Sequence, residues 1–360
     1  MPVVPPNGLI LLTGANGYIA SVTAKVLIDR GYKVRGTVRS ISNSSWMPSY
    51  YGPNFTLAEV PDFAADGAFN EAVKGVDGII HMGANVTLQP DPTIVDAAIQ
   101  SVNQLLEAAS KEPSVKRVVL TSARAACINE IPGTPYRITK DTWNDEAIEE
   151  LKKPADAHSP QVRGMLVYGA AKCLAERGAW EFVRKNKPHF IFNSVLPNVN
   201  FGKVEAIEYL GFKGSGCFVN ALDKGIPFGP VLIPHQLYVN VQDTALLHLG
   251  ALTLEDVQNE RLMAMAGTFS WNEIIGILRR RFPERKNMVV PGEEKTLDIG
   301  EVDNGRAADV LRQMGQDGFR SLEDTLVENM ECVIAADSLK VARNGTDDVI
   351  DMIFKGAGQS

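Results

Sequence analysis

Short apolar runs alternate with longer amphipathic stretches through the first half of the chain. An apolar run of about four to eight residues is typical of a buried strand, and a longer stretch with apolar residues three and four apart is typical of a helix. Such alternation favours an α/β fold, a Rossmann-like, doubly wound parallel sheet with helices on both faces. The pattern predicts strands at 9–12, 33–38, 76–82, 115–122 and 190–196 and helices at 21–30, 94–110 and 168–185.

From about Val199 onward the pattern loosens, and the Gly and Pro residues in the segments 211–216 and 225–234 predict loops there. We expect this part to form a smaller C-terminal lobe that caps the first domain. The predicted division is a Rossmann domain at 1–195, a lobe at 196–335 with some segments returning to the Rossmann domain, and a C-terminal extension at 336–360.

The composition narrows the class of protein. With 360 residues of which 45% are apolar, the chain can bury a large core. A net charge of −7 and a pI near 5.4 argue against nucleic acid or an anionic membrane as partner. The four cysteines form no CxxC pair, which favours reduced thiols and no metal site. Neither a secretion signal nor a membrane span is visible, so we expect a cytoplasmic enzyme with a small-molecule substrate, as a monomer or homodimer.

The first motif is a glycine turn between the first predicted strand and the following helix. The segment 14–20 reads GANGYIA. Gly14 permits the tight turn, Gly17 lets the backbone approach a pyrophosphate, and the small Ala20 lets helix and strand pack closely. The free N–H groups and positive dipole end of the helix favour an anion. The motif predicts a dinucleotide site with the candidate residues Gly14, Asn16, Gly17, Tyr18 and Ile19. The Rossmann domain at 1–195 is therefore expected to be dinucleotide-binding, and the lobe at 196–335 to be mainly substrate-binding and to form the substrate pocket over the cofactor.

The end of the second predicted strand indicates which dinucleotide binds. NAD-selective sites place an acid there to accept hydrogen bonds from the ribose 2′-hydroxyl. No Asp or Glu occurs between Gly31 and Met47, and Arg39 stands at the strand exit instead. A guanidinium can pair bidentately with a 2′-phosphate and stack on adenine, so the sequence predicts NADP(H). The alternative interpretation is a solvated arginine at a strand end.

The second motif is a tyrosine and a lysine four residues apart in a predicted helix. The segment 168–172 reads YGAAK, and this spacing puts Tyr168 and Lys172 on one helix face. A nearby ammonium lowers the pKa of a phenol, which makes tyrosine a usable proton donor at neutral pH. The lysine can also bind the nicotinamide ribose. A helix surface pair is the alternative, but the upstream glycine turn favours a catalytic site.

Together these residues resemble an extended short-chain dehydrogenase/reductase. The resemblance is greatest to the fungal NADPH-dependent aldehyde and ketone (carbonyl) reductases that are related to dihydroflavonol reductases. It covers about residues 8–330, and the last thirty or so residues are longer than expected for the family. The segments that carry it are TGANGYIA, GYKVRGTVRS, VKRVVLTS, YGAAK, NKPHF, LPN, LLHLG and AGTFSWN.

The resemblance implies further site residues. Tyr168 and Lys172 match the catalytic pair, and Arg39 matches the ligand of the 2′-phosphate. The other matching positions are expected to bind or line the cofactor site: Asp62 and Phe63 near adenine, Met82, Gly83 and Ala84 along the ribose, Thr121, and Pro197 and Asn198 beside the nicotinamide.

The chain departs from the family at one catalytic position. The family has Thr-Ser-Ser at this strand end and uses the second serine to hydrogen-bond the substrate carbonyl, but here Ala123 replaces it. Ser122 completes the candidate set, although successive strand residues point to opposite faces. Thr121 shares the face of Ala123 but lies roughly 6–7 Å back along the strand. Arg124 is interpreted either as a charged donor or as a solvated loop residue.

Three functions remain open from the sequence. The first is an NADPH-dependent reductase of an aldehyde or ketone, in which Tyr168 donates the proton and Lys172 tunes it. The second is a non-redox isomerase, dehydratase or cyclase on the same fold, which the loss of the serine favours. The third is an NADP-binding sensor without turnover, against which the intact Tyr168 and Lys172 argue.

Overall fold

The computed structural model describes residues 3–84, 88–129, 132–293 and 296–354. Its strands are β1 (Leu9–Thr13), β2 (Lys33–Val38), β3 (Phe55–Glu59), β4 (Gly78–His81), β5 (Arg117–Thr121), β6 (Arg137–Ile138), β7 (Ile191–Pro197), β8 (Val199–Phe201), β9 (Gln236–Asn240), β10 (Arg261–Ala264), β11 (Gly267–Phe269) and β12 (Glu301–Val302). Its helices are α1 (Tyr18–Asp29), α2 (Met47–Tyr51), α3 (Thr93–Lys111), α4 (Asp145–Leu151), α5 (Pro160–Asn186), α6 (Ile207–Leu210), α7 (Cys217–Asp223), α8 (Phe228–Leu232), α9 (Val241–Thr253), α10 (Trp271–Arg281), α11 (Gly305–Gln313), α12 (Leu322–Ala336) and α13 (Gly345–Phe354).

Seven parallel strands form one large sheet in the order β10-β7-β5-β4-β1-β2-β3. Its central strands β4, β5 and β7 are buried along their whole length, as continuous apolar runs require. The chain winds outward in both directions from the neighbours β1 and β4. Ligands bind at this switch point, outside the carboxyl ends of the strands. The predicted doubly wound Rossmann-like fold is confirmed.

Two apolar cores cover the two faces of this sheet. One packs α1, α9 and α11 against it, and the other packs α3 and α5. Helices α9 and α11 and strand β10, which pack on or belong to this sheet, lie beyond residue 196. The boundaries at 195 and 335 stay a prediction.

A third core forms a separate lobe at the carboxyl edge of the sheet. It joins β8, α7, α8, α10 and α12, and Tyr18 of α1 enters it. Its small sheet has the order β11-β9-β8, with β11 and β9 antiparallel. A further parallel pair, β6 and β12, ties the segment after β5 to the segment before α11.

Local sequence signals explain where several elements differ from the predicted bounds. Helix α5 begins at Pro160, well before the predicted start, because the Ser159 side chain accepts a hydrogen bond from the Val162 N–H and proline suits a first helical turn. The segment 225–234, predicted as a loop, contains α8, so that prediction was wrong. Strand β3 was not predicted.

Among the described residues, no helix is long and apolar enough to cross a membrane. The same residues contain no group of three or more His, Cys, Asp or Glu that could hold a metal ion. All four cysteines are free thiols.

Candidate active site

The glycine turn lies between β1 and α1, at the switch point of the sheet. Gly14 has a φ of +65°, and a Cβ there would lie 2.9 Å from the Cα of Gly83, so both the dihedral and the space favour glycine. The Gly14 N–H donates to Thr37 Oγ1 of β2 at 3.1 Å, which fixes the turn to the next strand. The ends of β1 and β2 therefore hold this turn in place, together with its own glycines.

The start of α1 provides a cradle that fits a phosphate group. A Cβ on Gly17 would meet one atom within 4 Å, the Gly14 carbonyl oxygen at 3.2 Å, so the space in front of Gly17 is open. No side chain caps α1 at Gly17, and its first turn contains no acid. The first N–H groups of this twelve-residue helix are therefore oriented to receive an anion.

The Tyr18 and Ile19 side chains point away from this cradle. Tyr18 is buried in the lobe core, and burial raises the pKa of its phenol well above the usual range. Ile19 packs against the same core. Any contact of these two predicted residues with a dinucleotide is therefore through their backbone N–H groups.

Thr13 holds the segment after β4 against the glycine turn. Its Oγ1 accepts hydrogen bonds from the Met82 and Gly83 N–H groups, both at 3.0 Å. Since both oxygen lone pairs are used, the hydroxyl proton is donated to His81 Nδ1, 2.9 Å away. Burial is the main reason why the pKa of His81 falls to about 3, so this histidine is neutral. His81 is a structural residue that orders the loop of Met82, Gly83 and the exposed Ala84.

The predicted adenine residues line the same edge. The Phe63 ring lies so close to Gly83 that a Cβ there would come within 2.0 Å of it. Asp62 is exposed and accepts a hydrogen bond from the Ala64 N–H at 2.9 Å. Arg39 follows β2 and is exposed. The ends of β1, β2, β3 and β4 thus bring the predicted cofactor residues to one edge.

Helix α5 carries the Tyr168 and Lys172 pair past the end of β5. The half-buried Tyr168 precedes Gly169, where a Cβ would lie 3.0 Å from the Asn144 amide nitrogen and 3.4 Å from the Ala125 carbonyl oxygen. Glycine therefore allows the turn after β5 to pack directly on the helix. The Lys172 ammonium donates to the carbonyl oxygen of Thr121 at 3.1 Å. Burial lowers the pKa of Lys172 to about 8, and the Glu176 carboxylate opposes that effect.

Ala123 lies at this strand end with an extended backbone (φ −160°, ψ 161°) and little exposure. The hydroxyls beside it are already engaged. Ser122 donates to Glu176 Oε2 at 2.7 Å, on the other side of the strand. The bond between Thr121 Oγ1 and His248 Nε2 is 2.8 Å long.

The direction of the Thr121 bond follows from the tautomer of His248. Its Nδ1 lies 2.7 Å from the Thr244 carbonyl oxygen and must donate to it. Burial lowers the pKa of His248 to about 4, so the ring is neutral and Nε2 is an acceptor. Thr121 therefore donates to His248, and its proton does not face the position of the absent serine hydroxyl.

Glu176 is a structural centre that sequence reasoning missed. It lies four residues after Lys172 on α5 and is fully buried. Besides Ser122, it accepts hydrogen bonds from Ser194 of β7 at 2.6 Å and from Arg261 of β10 at 2.9 and 3.1 Å. One carboxylate therefore fixes α5 to three adjacent strand segments. The i, i+4 spacing was the available sequence signal.

Arg124 is buried, so its interpretation as a solvated loop residue is wrong. Its Nη2 donates to the Tyr136 hydroxyl at 2.9 Å and lies 3.5 Å from Asp298 Oδ2. Tyr136 in turn donates to Asp298 at 2.7 Å. The guanidinium joins the segments before β6 and β12 directly behind Ala123.

The two residues predicted beside the nicotinamide lie where β7 ends, Pro197 as its last residue and Asn198 directly after it. Pro197 is buried and pairs in register with Ala264 of β10. The Asn198 amide donates to the Leu237 carbonyl oxygen at 2.9 Å, which connects the sheet to the lobe. Both lie at the carboxyl edge of the sheet, and their place beside the nicotinamide stays a prediction.

Comparison with known proteins places this arrangement among related enzymes. Residues 10–203 match the model of the NAD dependent epimerase/dehydratase family. The chain is 38% identical over 340 residues to NAD-dependent epimerase/dehydratase terH of Aspergillus terreus, covering 91% of this chain and 98% of that protein. It is 34% identical to aldehyde reductase 2 of Sporidiobolus salmonicolor (90% and 95% covered) and 38% identical to ketoreductase adrE of Penicillium rubens (90% and 96% covered).

A solved structure with the same fold is yeast methylglyoxal/isovaleraldehyde reductase Gre2 complexed with NADPH. The two structures align with a TM-score of 0.75 and 24% identity, covering 92% of this chain and all of that one. This likeness shows the fold.

Proposed function

This chain belongs to the NAD dependent epimerase/dehydratase family, and we propose that it is an NADPH-dependent oxidoreductase that reduces an aldehyde or ketone carbonyl of a small-molecule metabolite. Relatives named as an aldehyde reductase and a ketoreductase support the reaction, and the fold shared with an NADPH complex supports the cofactor. A cytoplasmic location and a monomeric or homodimeric state stay predictions.

The observation that carries the proposal is the position of Lys172. Its ammonium donates to the carbonyl oxygen of Thr121 at the end of β5, on the same helix face as Tyr168 and at the sheet edge that carries the glycine turn. When bound, NADPH supplies the hydride that reduces the carbonyl carbon. Tyr168 donates its phenolic proton to the carbonyl oxygen, and the Lys172 ammonium stabilises the phenolate left behind.

The choice of NADPH over NADH depends on Arg39. It stands at the exit of β2, where an NAD-selective site has an acid. The exposed guanidinium has no ion-pair partner in the described part of the chain, so it is available for a 2′-phosphate.

Ala123 determines the rate of carbonyl reduction that we expect. Because Thr121 and Ser122 donate to His248 and Glu176, Tyr168 polarises the carbonyl without the usual second donor. The absence of one such donor typically costs on the order of 10²–10³ in rate. We therefore expect slow reduction of simple aldehydes and faster reduction of carbonyls that the substrate itself activates.

Ala123 is also the structural observation in favour of a non-redox isomerase, dehydratase or cyclase. Such an enzyme would use Tyr168 for proton transfer and would leave the total NADPH unchanged over the reaction. Among the relatives named above, terH has the epimerase/dehydratase name of the family, whereas aldehyde reductase 2 and ketoreductase adrE have reductase names, which support the reductase.

The test is to incubate the purified protein with NADPH and a panel of aldehydes and ketones and to follow the loss of NADPH absorbance. Replacing Tyr168→Phe removes the proton donor and should lower kcat by at least about 10². The matched control is Tyr32→Phe, one residue before β2 at the opposite edge of the sheet, which should leave kcat unchanged. Substrate conversion at constant NADPH would favour the non-redox alternative. Tight NADPH binding with no conversion of any compound would indicate a sensor.

A further inference from the structure

We propose that Lys213 of the lobe is a second ligand for the 2′-phosphate of NADP(H), opposite Arg39, and that the C-terminal extension holds it in place. The inference rests on the proposed function, since it requires that the chain bind this cofactor. Under this proposal the lobe binds the cofactor directly, and the C-terminal extension positions the lysine that does so.

The first observation is that the loop after α6 crosses the glycine turn. Lys213 Nζ lies 3.4 Å from the carbonyl oxygen of Asn16, within the turn itself. Three residues later, a Cβ on Gly216 would lie 2.9 Å from the Tyr18 ring, so this loop packs closely on the first turn of α1. Lys213 thus reaches the cofactor edge from the other lobe.

The second observation is the charge around Lys213. Neither Lys213 nor Arg39 forms an ion pair with any residue that the structure describes, although the chain has a net charge of −7. The two cations lie close enough for Arg39 to lower the pKa of Lys213, in addition to the larger effect of burial. A phosphate monoester with close to two negative charges would relieve both the repulsion and the desolvation. Two neighbouring cations without an ion-pair partner among the described residues, at the edge that carries the glycine turn, fit an anion.

The third observation explains what positions the loop. The Asn344 amide donates to the carbonyl oxygens of Leu210 at 3.1 Å and Phe212 at 3.2 Å. Between them, Gly211 has a φ of +63°, and a Cβ there would lie 2.1 Å from the Ala342 carbonyl oxygen. The extension therefore holds the backbone on both sides of Gly211, directly before Lys213.

The extension is itself anchored on the lobe. The Phe354 ring of α13 lies 6.4 Å from the Phe228 ring of α8, and both Ile350 and Ile353 pack against the lobe core. Through Asn344, this contact is transmitted to the loop that carries Lys213. The extension thus acts as a positioning element for a cofactor ligand, without touching the cofactor.

The experiment measures the Kd of NADPH and of NADH by fluorescence titration, without turnover. Lys213→Ala should weaken NADPH binding by about tenfold and change NADH binding by less than about twofold, because a charge-assisted contact to the 2′-phosphate is lost. Lys213→Arg should restore NADPH binding. The matched control is Lys224→Ala, an exposed lobe lysine, which should bind as the native chain does.

Asn344→Ala tests the extension. It should weaken NADPH binding in the same direction but less than Lys213→Ala does, while the melting temperature of the whole chain shows that the fold is retained. In the Lys213→Ala background the Asn344 change should have little further effect, because both act through one contact.

Two results would overturn the assignment. Native NADPH affinity in Lys213→Ala would remove Lys213 from the site. An equal loss of NADPH and NADH would place it on the pyrophosphate that both cofactors share. In either case the native chain still binds NADPH, so the proposed function stands, whereas failure of the native chain to bind either dinucleotide would refute the function itself.

Discussion

Restoring a hydroxyl at position 123 tests the account of the site most directly. The extended backbone of Ala123 lies in a region that serine adopts without strain, and Ala123 follows the end of β5, two residues after the Thr121 carbonyl oxygen that accepts a hydrogen bond from Lys172. No described hydroxyl of the two preceding residues is available for the task, since Thr121 and Ser122 donate to His248 and Glu176. Ala123→Ser therefore adds a donor that the native site lacks.

The expected gain follows from the cost of losing such a donor. A missing oxyanion donor lowers kcat by about 10²–10³. A new hydroxyl without an optimised surrounding shell should recover part of this, about tenfold to a hundredfold in kcat. That range corresponds to about 1.4–2.7 kcal/mol of transition-state stabilisation. KM should change little, because the bond strengthens as charge develops on the carbonyl oxygen.

The assay is steady-state NADPH oxidation with the best aldehyde or ketone from the panel, measured for native and Ala123→Ser proteins. A melting curve accompanies it, since burying a hydroxyl without a hydrogen-bond partner costs about 1–3 kcal/mol. The matched control is Ser122→Ala, which removes the neighbouring hydroxyl from Glu176 on the other side of the strand. This control should lower stability by about 1 kcal/mol and leave kcat within about twofold.

An unchanged or lower kcat in a folded Ala123→Ser protein would refute the interpretation that the native site lacks a donor to the carbonyl oxygen. It would mean either that another group polarises the carbonyl or that the reaction does not develop charge on an oxygen there. NADPH oxidation that appears in the variant but is absent from the native chain would instead favour the non-redox alternative.

Two further predictions concern stability. Glu176→Gln should lower the free energy of unfolding in urea by about 3–5 kcal/mol, because it leaves the buried Arg261 guanidinium without its carboxylate, whereas Glu149→Gln on the surface should change it by less than about 1 kcal/mol. The pKa of about 8 for Lys172 lies below that of an unfolded lysine, so the unfolded chain binds more protons between about pH 8 and 10 and native stability rises with pH there. Urea unfolding at pH 8 and at pH 10 should show a gain in the free energy of unfolding on the order of 2 kcal/mol in the native protein relative to Lys172→Met. The same pH dependence of this free energy in both proteins would contradict the lowered pKa of Lys172.

Local patterns in the sequence determined the elements and the motif geometry. The strand at 33–38 was predicted with its observed bounds, because apolar periodicity reports which backbone segments become buried. The glycine turn and the spacing of Tyr168 and Lys172 were equally readable, since a tight turn and an i, i+4 helix pair depend on adjacent residues alone. The substitution at Ala123 was recognised from the resemblance to the family, whose corresponding strand end reads Thr-Ser-Ser.

Tertiary structure alone decided which distant side chains meet. The contact of Lys213 with Asn16 spans 197 residues, and that of Arg124 with Asp298 spans 174. Neither pair has a sequence spacing that marks it, because such contacts depend on how the lobe folds back over the carboxyl edge of the sheet. The hydrogen bond from Thr121 to His248 likewise depends on how α9 packs against the sheet. Neighbouring residues determine turns and helix faces, whereas the hydrogen bonds and charges around the site depend on how the whole chain packs.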